Sequence, residues 1–361
     1  MPSQADPPRP PVSVIMANRN NARTLGLFFE RLERNTTYPD FEIVIVDDES
    51  TDGSLPILRR WRDSGRFREF TLIERQHSGV MRSLNAALEA ADGELIAAVD
   101  GDATMETPGW LETMVDFHSA DPRVGTVTGA VEFDDGRVQG YGAMLVCPEG
   151  LHGRGARPSE PAGRRTAHER SVKPLAEEVR HLLVPAEVDA AMGPCMLYAR
   201  ELAREIGGYD PGFSPVWFDD LDFSMSVRKH GLKNFFVPVR VIHWLGARHR
   251  REDTTRTYLA GVAVRQALAR LLPSRSKRFI WRAAGLDRIP AERWERYMHH
   301  YDYWRSKWGW DFVNPDMDEV LHRWGGTEIC WAYDAGMRAA GEQVVARYER
   351  NVAQGLTQQR A

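Results

Sequence analysis

The chain has 361 residues, of which 42% are hydrophobic and 27% are charged, a composition typical of globular proteins. The formal net charge of −4 excludes a general electrostatic attraction to nucleic acid, so we expect no nucleic-acid partner. The three cysteines, Cys147, Cys195 and Cys330, form no C-x-x-C pair. Their number and spacing argue against a disulfide framework or a cysteine zinc site, and they favour a reducing, cytoplasmic location.

The first eleven residues, 1–11, are rich in proline and polar side chains and contain no apolar segment of the signal-peptide kind. We interpret them as a flexible lead. No apolar run in the sequence approaches the roughly 18–20 residues that a membrane-spanning helix needs.

From Val12 onward, strands and helices are predicted to alternate. Strands are predicted at VSVIM, FEIVIV, REFTLIE and ELIAAV, and helices at ARTLGLFFERLER, SLPILRRWRDS and VMRSLNAALEAA. This alternation predicts an α/β fold with a mostly parallel central sheet that is flanked by helices on both faces. In such sheets ligands bind beyond the carboxyl ends of the strands.

The second half of the chain is less regular. Residues 147–175 are rich in Gly, Pro and Arg without an apolar period, and we interpret them as a long mobile loop that could close over a bound ligand. NFFVPVRVIHWLG predicts one more strand, interrupted at Pro238. The expected organisation is a lead at 1–11, an α/β domain at 12–250 and a mostly helical C-terminal region at 251–361.

Polar residues collect where the predicted strands end. Asn18 and its neighbours follow the first strand, Asp47 and Asp48 end the second, and Asp100 and Asp102 end the fourth. Two carboxylates that are separated by a single residue repel each other unless a cation compensates their charge. Oxygen ligands of this kind suit Mg²⁺ or Mn²⁺, which in turn suggests a phosphate-bearing substrate. The alternative is a solvated turn that caps a helix starting near Thr107.

A second acidic group lies in WFDDLDFSMSVRKHG, which contains Asp219, Asp220 and Asp222. Carboxylates are favoured at the start of a helix by its dipole, and this alternative accounts for one or two of them. The preceding Trp217 and Phe218 would partly desolvate a neighbouring acid, which makes it a candidate general base. His243, at the end of the last predicted strand, is either structural or a further metal ligand.

These segments, in this order, resemble the family 2 glycosyltransferases, whose fold is the GT-A nucleotide-sugar-binding domain, with a rhamnosyltransferase-like subgroup left open. The resemblance covers residues 12–246, about two-thirds of the chain. The segment most similar to the family pattern is IVIVDDESTDGS. The others are SVIMANRNNA, RQHSGVMRSLNAAL, VDGDA as the DxD motif, GGYDPGFSPVWFDDLDFSMSVRKHG, and VPVRVIHW.

The resemblance implies an enzyme that transfers a hexosyl or deoxyhexosyl group with inversion and depends on a divalent metal, Mn²⁺ or Mg²⁺. It implies that Asp47 and Asp48 contact the donor nucleoside and that Asp100 lies near the ribose and diphosphate. Asp102 would bind the metal, with Asp100 and His243 as further ligands. The other implied donor-binding residues are Ala17, Asn18, Asn20, Gly79 and Asn85.

On the acceptor side, the resemblance implies that Asp220 is the base that deprotonates the acceptor hydroxyl, with Asp219 as the alternative. Asp222 and Arg228 would be supports within the same helix. The chain departs from the family pattern at Ala17, Asn18 and Arg19, which replace Pro-Thr-Tyr, and at His77 and Leu84. These departures leave the nucleotide open: UDP is expected first, with dTDP and GDP as alternatives.

The acceptor class and the location remain open at this stage. A glycan, a lipid-linked glycan or a small molecule would each offer a hydroxyl. The basic, aromatic stretch at 268–285 is either a peripheral contact with the inner face of a membrane or an ordinary packed helix. The aromatic stretch at 301–312 is either a small core, which we favour, or a carbohydrate platform.

Two rival functions remain. A non-catalytic sugar-binding or scaffold protein could be built on a degenerate transferase fold, although all the acids that the chemistry needs are present. A DxDxT phosphatase would also contain DGDAT. In that class the motif typically follows the first strand, whereas three predicted strands precede it here.

Overall fold

The computed structural model describes residues 9–146, 150–153, 157–158, 171–172, 174–215, 217–244, 291–309 and 335–355. Its strands are β1 (Val12–Asn18), β2 (Phe41–Asp48), β3 (Phe70–Arg75), β4 (Leu95–Val99), β5 (Ala103–Met105), β6 (Val124–Phe133), β7 (Val138–Gly140), β8 (Ala143–Val146), β9 (Gly150–Gly153), β10 (Arg157–Pro158), β11 (Ser171–Val172), β12 (Ala186–Val188), β13 (Cys195–Ala199) and β14 (Lys233–His243).

Its α-helices are α1 (Ala22–Asn35), α2 (Ser54–Asp63), α3 (Val80–Ala90), α4 (Trp110–Ser119), α5 (Arg200–Glu205), α6 (Asp219–Lys229), α7 (Ala291–Trp308) and α8 (Ala335–Ala353). Short 3₁₀ helices lie at Ala176–Leu182 and Pro211–Phe213. Among the helices in the described ranges, none is long and apolar enough to cross a membrane.

The central sheet is mostly parallel, with strand order β12-β14-β6-β13-β4-β1-β2-β3. Strands β3, β2, β1 and β4 run parallel to one another, and β14 runs parallel to β6. The two groups are joined through β13, which is antiparallel to both β4 and β6. The predicted fold class is therefore confirmed: a mostly parallel sheet covered by helices, in which the parallel strands end at one common edge.

The helices cover the sheet because their apolar residues recur at helical spacing. In α1, Leu25, Phe28, Phe29 and Leu32 are fully buried against the sheet, as residues spaced i, i+3, i+4 and i+7 on one helix face should be. Their neighbours Val14 and Ile43 alternate along β1 and β2 with residues that face the opposite layer of helices.

The last strand, β14, differs from the prediction near Pro238. The chain stays extended through this residue, although the register with β6 shifts between Phe236 and Arg240. Pro238 is exposed while Val237 and Val239 are buried, so the missing N–H donor falls where the ladder is already irregular. The strand therefore continues to His243 and carries that side chain to the common edge.

The N-terminal lead and the 147–175 segment contain contacts and strands that the sequence did not predict. Arg9, within the expected flexible lead, donates two bonds of 2.9 Å to the carboxylate of Asp116 on α4. Short strands β9, β10 and β11 lie within 147–175, where the sequence predicted only a loop. The other residues between 147 and 173, and residues 268–285, lie outside the described residues, so loop closure and membrane contact stay predictions.

Candidate active site

Polar side chains from several strands meet at the carboxyl edge of the sheet. Asn18 ends β1, Asp47 and Asp48 end β2, Asp100 follows β4, and His243 ends β14. The parallel directions of these strands bring together residues that are far apart in the sequence. These side chains therefore share one edge of the sheet, where the strand alternation predicted a site, and their binding roles stay predictions.

The Asp-Gly-Asp turn after β4 is tightly held. Ala103 N–H donates to the Asp100 carbonyl, and Trp244 N–H donates to the Asp102 carbonyl, at 3.0 and 2.7 Å. A Cβ atom on Gly101 would lie 2.6 Å from Nδ2 of Asn21, which explains why glycine separates the two acids. The turn connects β4 to the short strand β5, and the next helix, α4, begins at Trp110 rather than near Thr107.

Asp100, Asp102 and His243 form one potential metal-binding group. A ligand atom from each lies within 4.8 Å of the others. Nε2 of His243 is 3.4 Å from a carboxylate oxygen of Asp102 and 3.7 Å from one of Asp100. The Asp102 side chain is only 1% exposed, whereas that of Asp100 is 42% exposed. Two carboxylates and an imidazole fit a divalent cation such as Mn²⁺ or Mg²⁺, with Asp100 facing the open side.

Gln139 on β7 completes this group, and sequence inspection did not identify it. Its Oε1 atom lies 2.7 Å from Nδ1 of His243. No motif signals this residue, because β7 is short and the contact forms only when β7 and β14 both pair with β6.

Asp47 and Asp48 hold the loops that follow β1, β2 and β3. The Asp47 carboxylate accepts bonds from the Asn18 amide and from both the N–H and hydroxyl of Ser50. Asn20, in the loop after β1, binds the loop after β2, since its backbone N–H donates to Ser50 Oγ and its amide oxygen accepts from Thr51 N–H. Ala17 lies directly beside Val46 in the β1–β2 ladder.

The Asp48 carboxylate accepts bonds from the backbone N–H groups of Ser78 and Gly79 and contacts Nδ1 of His77 at 2.6 Å. Burial alone would raise the pKa of Asp48, but these bonds together hold it below its usual value. Asp48 thus remains ionised and fixes the 77–79 loop. Its direct contact with a nucleoside stays a prediction.

Gly79 and Asn85 lie against the segment that contains Tyr209 and Ser214. Gly79 adopts a φ of +93°, and a Cβ atom there would lie 3.1 Å from Oγ of Ser214. The Asn85 amide both donates to the carbonyl and accepts from the N–H of Tyr209, at 2.7 and 2.8 Å. A donor contact through this amide would require these bonds to open, so Asn85 has a structural task here and its donor role stays a prediction.

The start of α6 is set by two residues with unusual backbone geometry. Trp217 and Phe218 have φ values of +83° and +67°, a region that costs non-glycine residues of order 1–3 kcal/mol each. Phe218 is buried among the rings of Phe213 and Trp304. This packing offsets the strain and directs the first residues of α6.

Asp219 and Asp220 are the first two residues of α6. Oδ2 of Asp220 accepts a 3.0 Å bond from Gly193 N–H, and Oδ1 accepts one from Leu221 N–H. Burial raises the pKa of Asp220 in spite of these two bonds, and the charge of Asp100 raises it further. Burial and the charges of Asp220 and Asp100 raise the pKa of Asp219 well above its usual value. Asp100 N–H donates to the carbonyl of Pro194, the residue after Gly193, so residues 193–194 contact both acidic groups. We call the surface between these two groups the cleft.

Asp222 and Arg228 brace α6 against two other parts of the chain. Arg228 is buried and donates to the carbonyls of Val188 and Asp189. Asp222 accepts 2.8 Å bonds from Nε1 of Trp308 and from Nζ of Lys307, both on α7. The predicted supporting role thus reaches outside the helix.

Helix α7 packs against α6 and the segment that precedes it. Lys307 also donates to Asp210 at 2.7 Å, and Tyr303 donates to the same carboxylate at 2.9 Å. His300 donates from Nε2 to the carbonyl of Ser214, and Trp304 is fully buried. Trp304 and Trp308, from the aromatic stretch at 301–312, are thus core residues, as the sequence favoured for this stretch. Residues 310–312 lie outside the described residues.

We expect Lys307→Met to lower the free energy of unfolding by about 1–3 kcal/mol, because the buried carboxylate of Asp222 loses a charged partner. Urea denaturation with constant m-value would measure this change. Lys229→Met, at the exposed end of α6, is the matched control and should change stability by less than about 0.5 kcal/mol. Equal effects of the two substitutions would contradict the bracing role.

The family model described as Glycosyl transferase family 2 matches residues 13–207 of this chain. This is more than half of the 361 residues. It includes β1 through β13 with the Asp-Gly-Asp turn, and it ends before α6, β14 and α7.

Individual proteins also match. Protein y4gI of Sinorhizobium fredii, described as uncharacterized, is 28% identical over 252 residues, which span 68% of this chain and 26% of that protein. The O-antigen biosynthesis protein RfbC of Myxococcus xanthus is 25% identical over 248 residues, which span 67% and 18% of the two proteins. The chain thus corresponds to a minor part of each relative.

Among solved structures, the mannosyltransferase PcManGT from Pyrobaculum calidifontis, in complex with GDP-Man and Mn²⁺, is similar to this chain at 20% sequence identity. The alignment covers 84% of this chain and 88% of that one, with a TM-score of 0.45.

Proposed function

Because the chain belongs to glycosyl transferase family 2, we propose that it moves a sugar from a nucleotide-diphosphate donor to an acceptor hydroxyl, with inversion and with a divalent metal. One observation carries this proposal. The Asp100–Asp102–His243 group and the Asp219–Asp220 pair are joined through residues 193–194, since Gly193 N–H donates to Asp220 at 3.0 Å and the carbonyl of Pro194 accepts from Asp100 N–H at 3.3 Å. A transferase of this kind needs a metal end and a base end with the sugar between them.

The metal end is assigned to Asp102, Asp100 and His243, which would hold Mn²⁺ or Mg²⁺. The bound cation would supply Lewis-acid stabilisation of the charge on the departing diphosphate. The protein side chains fix the site: Asp102 is buried, and Asp100 is exposed toward the cleft, where diphosphate oxygens could approach. The donor nucleoside is assigned to the loops that Asp47 and Asp48 hold. Asn18, Asn20 and Gly79 belong to these loops or bind them.

The base end is assigned to Asp220, with Asp219 as the alternative. In the reaction, its carboxylate takes the proton of the acceptor hydroxyl while that oxygen bonds to the anomeric carbon. The bond from this carbon to the diphosphate breaks on the opposite face, and the nucleoside diphosphate leaves with the bonding electrons. A raised pKa strengthens Asp220 as a base, and its bonds to Gly193 and Leu221 hold its orientation.

The donor is proposed to be a UDP-sugar, with dTDP- and GDP-sugars as alternatives, and the acceptor a glycan, a lipid-linked glycan or a small molecule. The identity of the nucleotide is the first point to test. We would record thermal unfolding of the purified chain with UDP, GDP, dTDP and CDP, each with and without Mn²⁺. A ligand at 100 times its Kd stabilises the folded state by about 2.7 kcal/mol.

The expected result is that one nucleotide raises the unfolding temperature only when Mn²⁺ is present. Incubation of the matching nucleotide sugar with the protein and Mn²⁺ should then release the nucleoside diphosphate. If millimolar concentrations of all four nucleotides leave the unfolding temperature unchanged with the metal present, the proposed function is wrong.

A further inference from the structure

His243 touches a different partner with each of its two ring nitrogens. Nε2 lies 3.4 Å from Asp102 and 3.7 Å from Asp100, on the side of the proposed metal. Nδ1 lies 2.7 Å from Oε1 of Gln139. The ring is about nine-tenths buried, with a side-chain exposure of 10%, so these contacts rather than solvent determine its orientation.

An amide oxygen can only accept a hydrogen bond, so the contact with Gln139 requires the proton of a neutral imidazole to be on Nδ1. Nε2 then carries a lone pair that points toward the two aspartates. A histidine that binds a metal through one nitrogen usually donates its other N–H to an oxygen in this way, which fixes the tautomer and makes the ligand more basic.

Both side chains are held by the same set of strands. Gln139 is the middle residue of β7, whose neighbours Val138 and Gly140 are buried and pair with Glu132 and Val131 of β6. On its other side β6 pairs with β14, where Phe133 lies opposite His243. The Gln139–His243 contact therefore spans β6, and the backbone ladder sets its length.

We propose that Gln139 is a positioning residue for the metal site, which keeps His243 in the Nδ1–H tautomer with Nε2 available to the cation. This inference rests on the proposed function, because it gives His243 a place among the metal ligands. The opposite amide orientation would give a different site. There the Gln139 NH₂ group donates to Nδ1, and Nε2–H donates to an aspartate.

Direct titration of Mn²⁺ separates these arrangements without any substrate. Free Mn²⁺ is quantified by electron paramagnetic resonance as the full-length protein is titrated with the metal alone. Gln139→Met keeps the length of the side chain and removes the acceptor, and we expect Mn²⁺ affinity to fall by about 10- to 100-fold. Gln139→Glu keeps an oxygen acceptor for Nδ1–H, and we expect its affinity to equal or exceed that of the original protein.

The matched control is Gln343→Met on α8, where the amide accepts a bond from Arg123 at 3.3 Å and lies outside the cleft. It should bind Mn²⁺ normally. A second readout is the ¹⁴N modulation of the bound Mn²⁺ in pulsed resonance spectra, which reports coordination by the imidazole and should weaken in Gln139→Met but not in Gln139→Glu.

Three outcomes would overturn the inference, and they differ from one another. If the original protein binds Mn²⁺ and His243→Ala weakens binding, while Gln139→Met binds like the original, then Gln139 has no positioning role. If the original protein itself binds no Mn²⁺, the metal-dependent function fails and the inference fails with it. A loss of affinity in Gln139→Met that Gln139→Glu does not restore would also overturn it, because the acceptor would not be the cause.

Discussion

Asp102→Asn is expected to reduce metal-dependent turnover of the nucleotide sugar by about 100- to 1,000-fold. The substitution keeps the shape of a side chain that is 1% exposed and removes the charge that faces His243 and the proposed cation. Lewis-acid stabilisation of the departing diphosphate is worth several kcal/mol, and each 1.36 kcal/mol corresponds to a tenfold change in rate. The measurement is the initial rate of nucleoside diphosphate release as a function of Mn²⁺ concentration.

Asp121→Asn is the matched control for this variant. Asp121 is also a buried aspartate, 2% exposed, but it precedes β6 at the opposite edge of the sheet and binds Arg123 and Arg347. This control should lose stability and keep its response to Mn²⁺. If Asp102→Asn retained the original rate and the original Mn²⁺ dependence, Asp102 would not be a metal ligand.

The parts of the fold that local patterns determine were predicted correctly. The apolar runs at Val12–Asn18 and Phe41–Asp48 form neighbouring parallel strands, and the polar residues near their ends, Asn18 and Asp47, lie opposite each other at one edge. Such runs specify strands because burial on both faces requires continuous apolar sequence. The Asp-Gly-Asp segment could likewise be identified as a candidate site from the sequence, because close carboxylates repel unless a cation compensates them. Its metal binding stays a prediction.

The partners of the site residues were not readable, because they depend on tertiary contacts. Gln139 and Lys307 belong to no motif, and they reach His243 and Asp222 only after β7 and α7 are packed. Asn85 illustrates the reverse case. Its motif suggested a donor contact, yet its amide is bound to the backbone of Tyr209, 124 residues further along the chain. Sequence patterns thus indicate candidate site residues, but they do not indicate which atoms those residues contact.

Asp220→Asn is expected to lower sugar transfer by about 100- to 10,000-fold, the range that general base catalysis contributes. An amide of the same shape can still accept the bond from Gly193 N–H, but it cannot take a proton from the acceptor hydroxyl. The proposed metal and nucleotide sites consist of other residues. The nucleotide should therefore still raise the unfolding temperature of this variant when Mn²⁺ is present. The measurement compares the transfer rate with nucleotide binding in the same preparation.

The pH dependence gives an independent check on this assignment. Asp220 works as a base only when it is ionised, and burial raises its pKa. The kcat/KM of the original protein should therefore fall as pH drops through that raised pKa, at a higher pH than an ordinary aspartate would give. The residual rate of Asp220→Asn should lack this acidic limb. If Asp219→Asn instead removes the limb and the activity while Asp220→Asn retains both, then Asp219 is the base, and the bonds from Gly193 and Leu221 serve only to hold the start of α6.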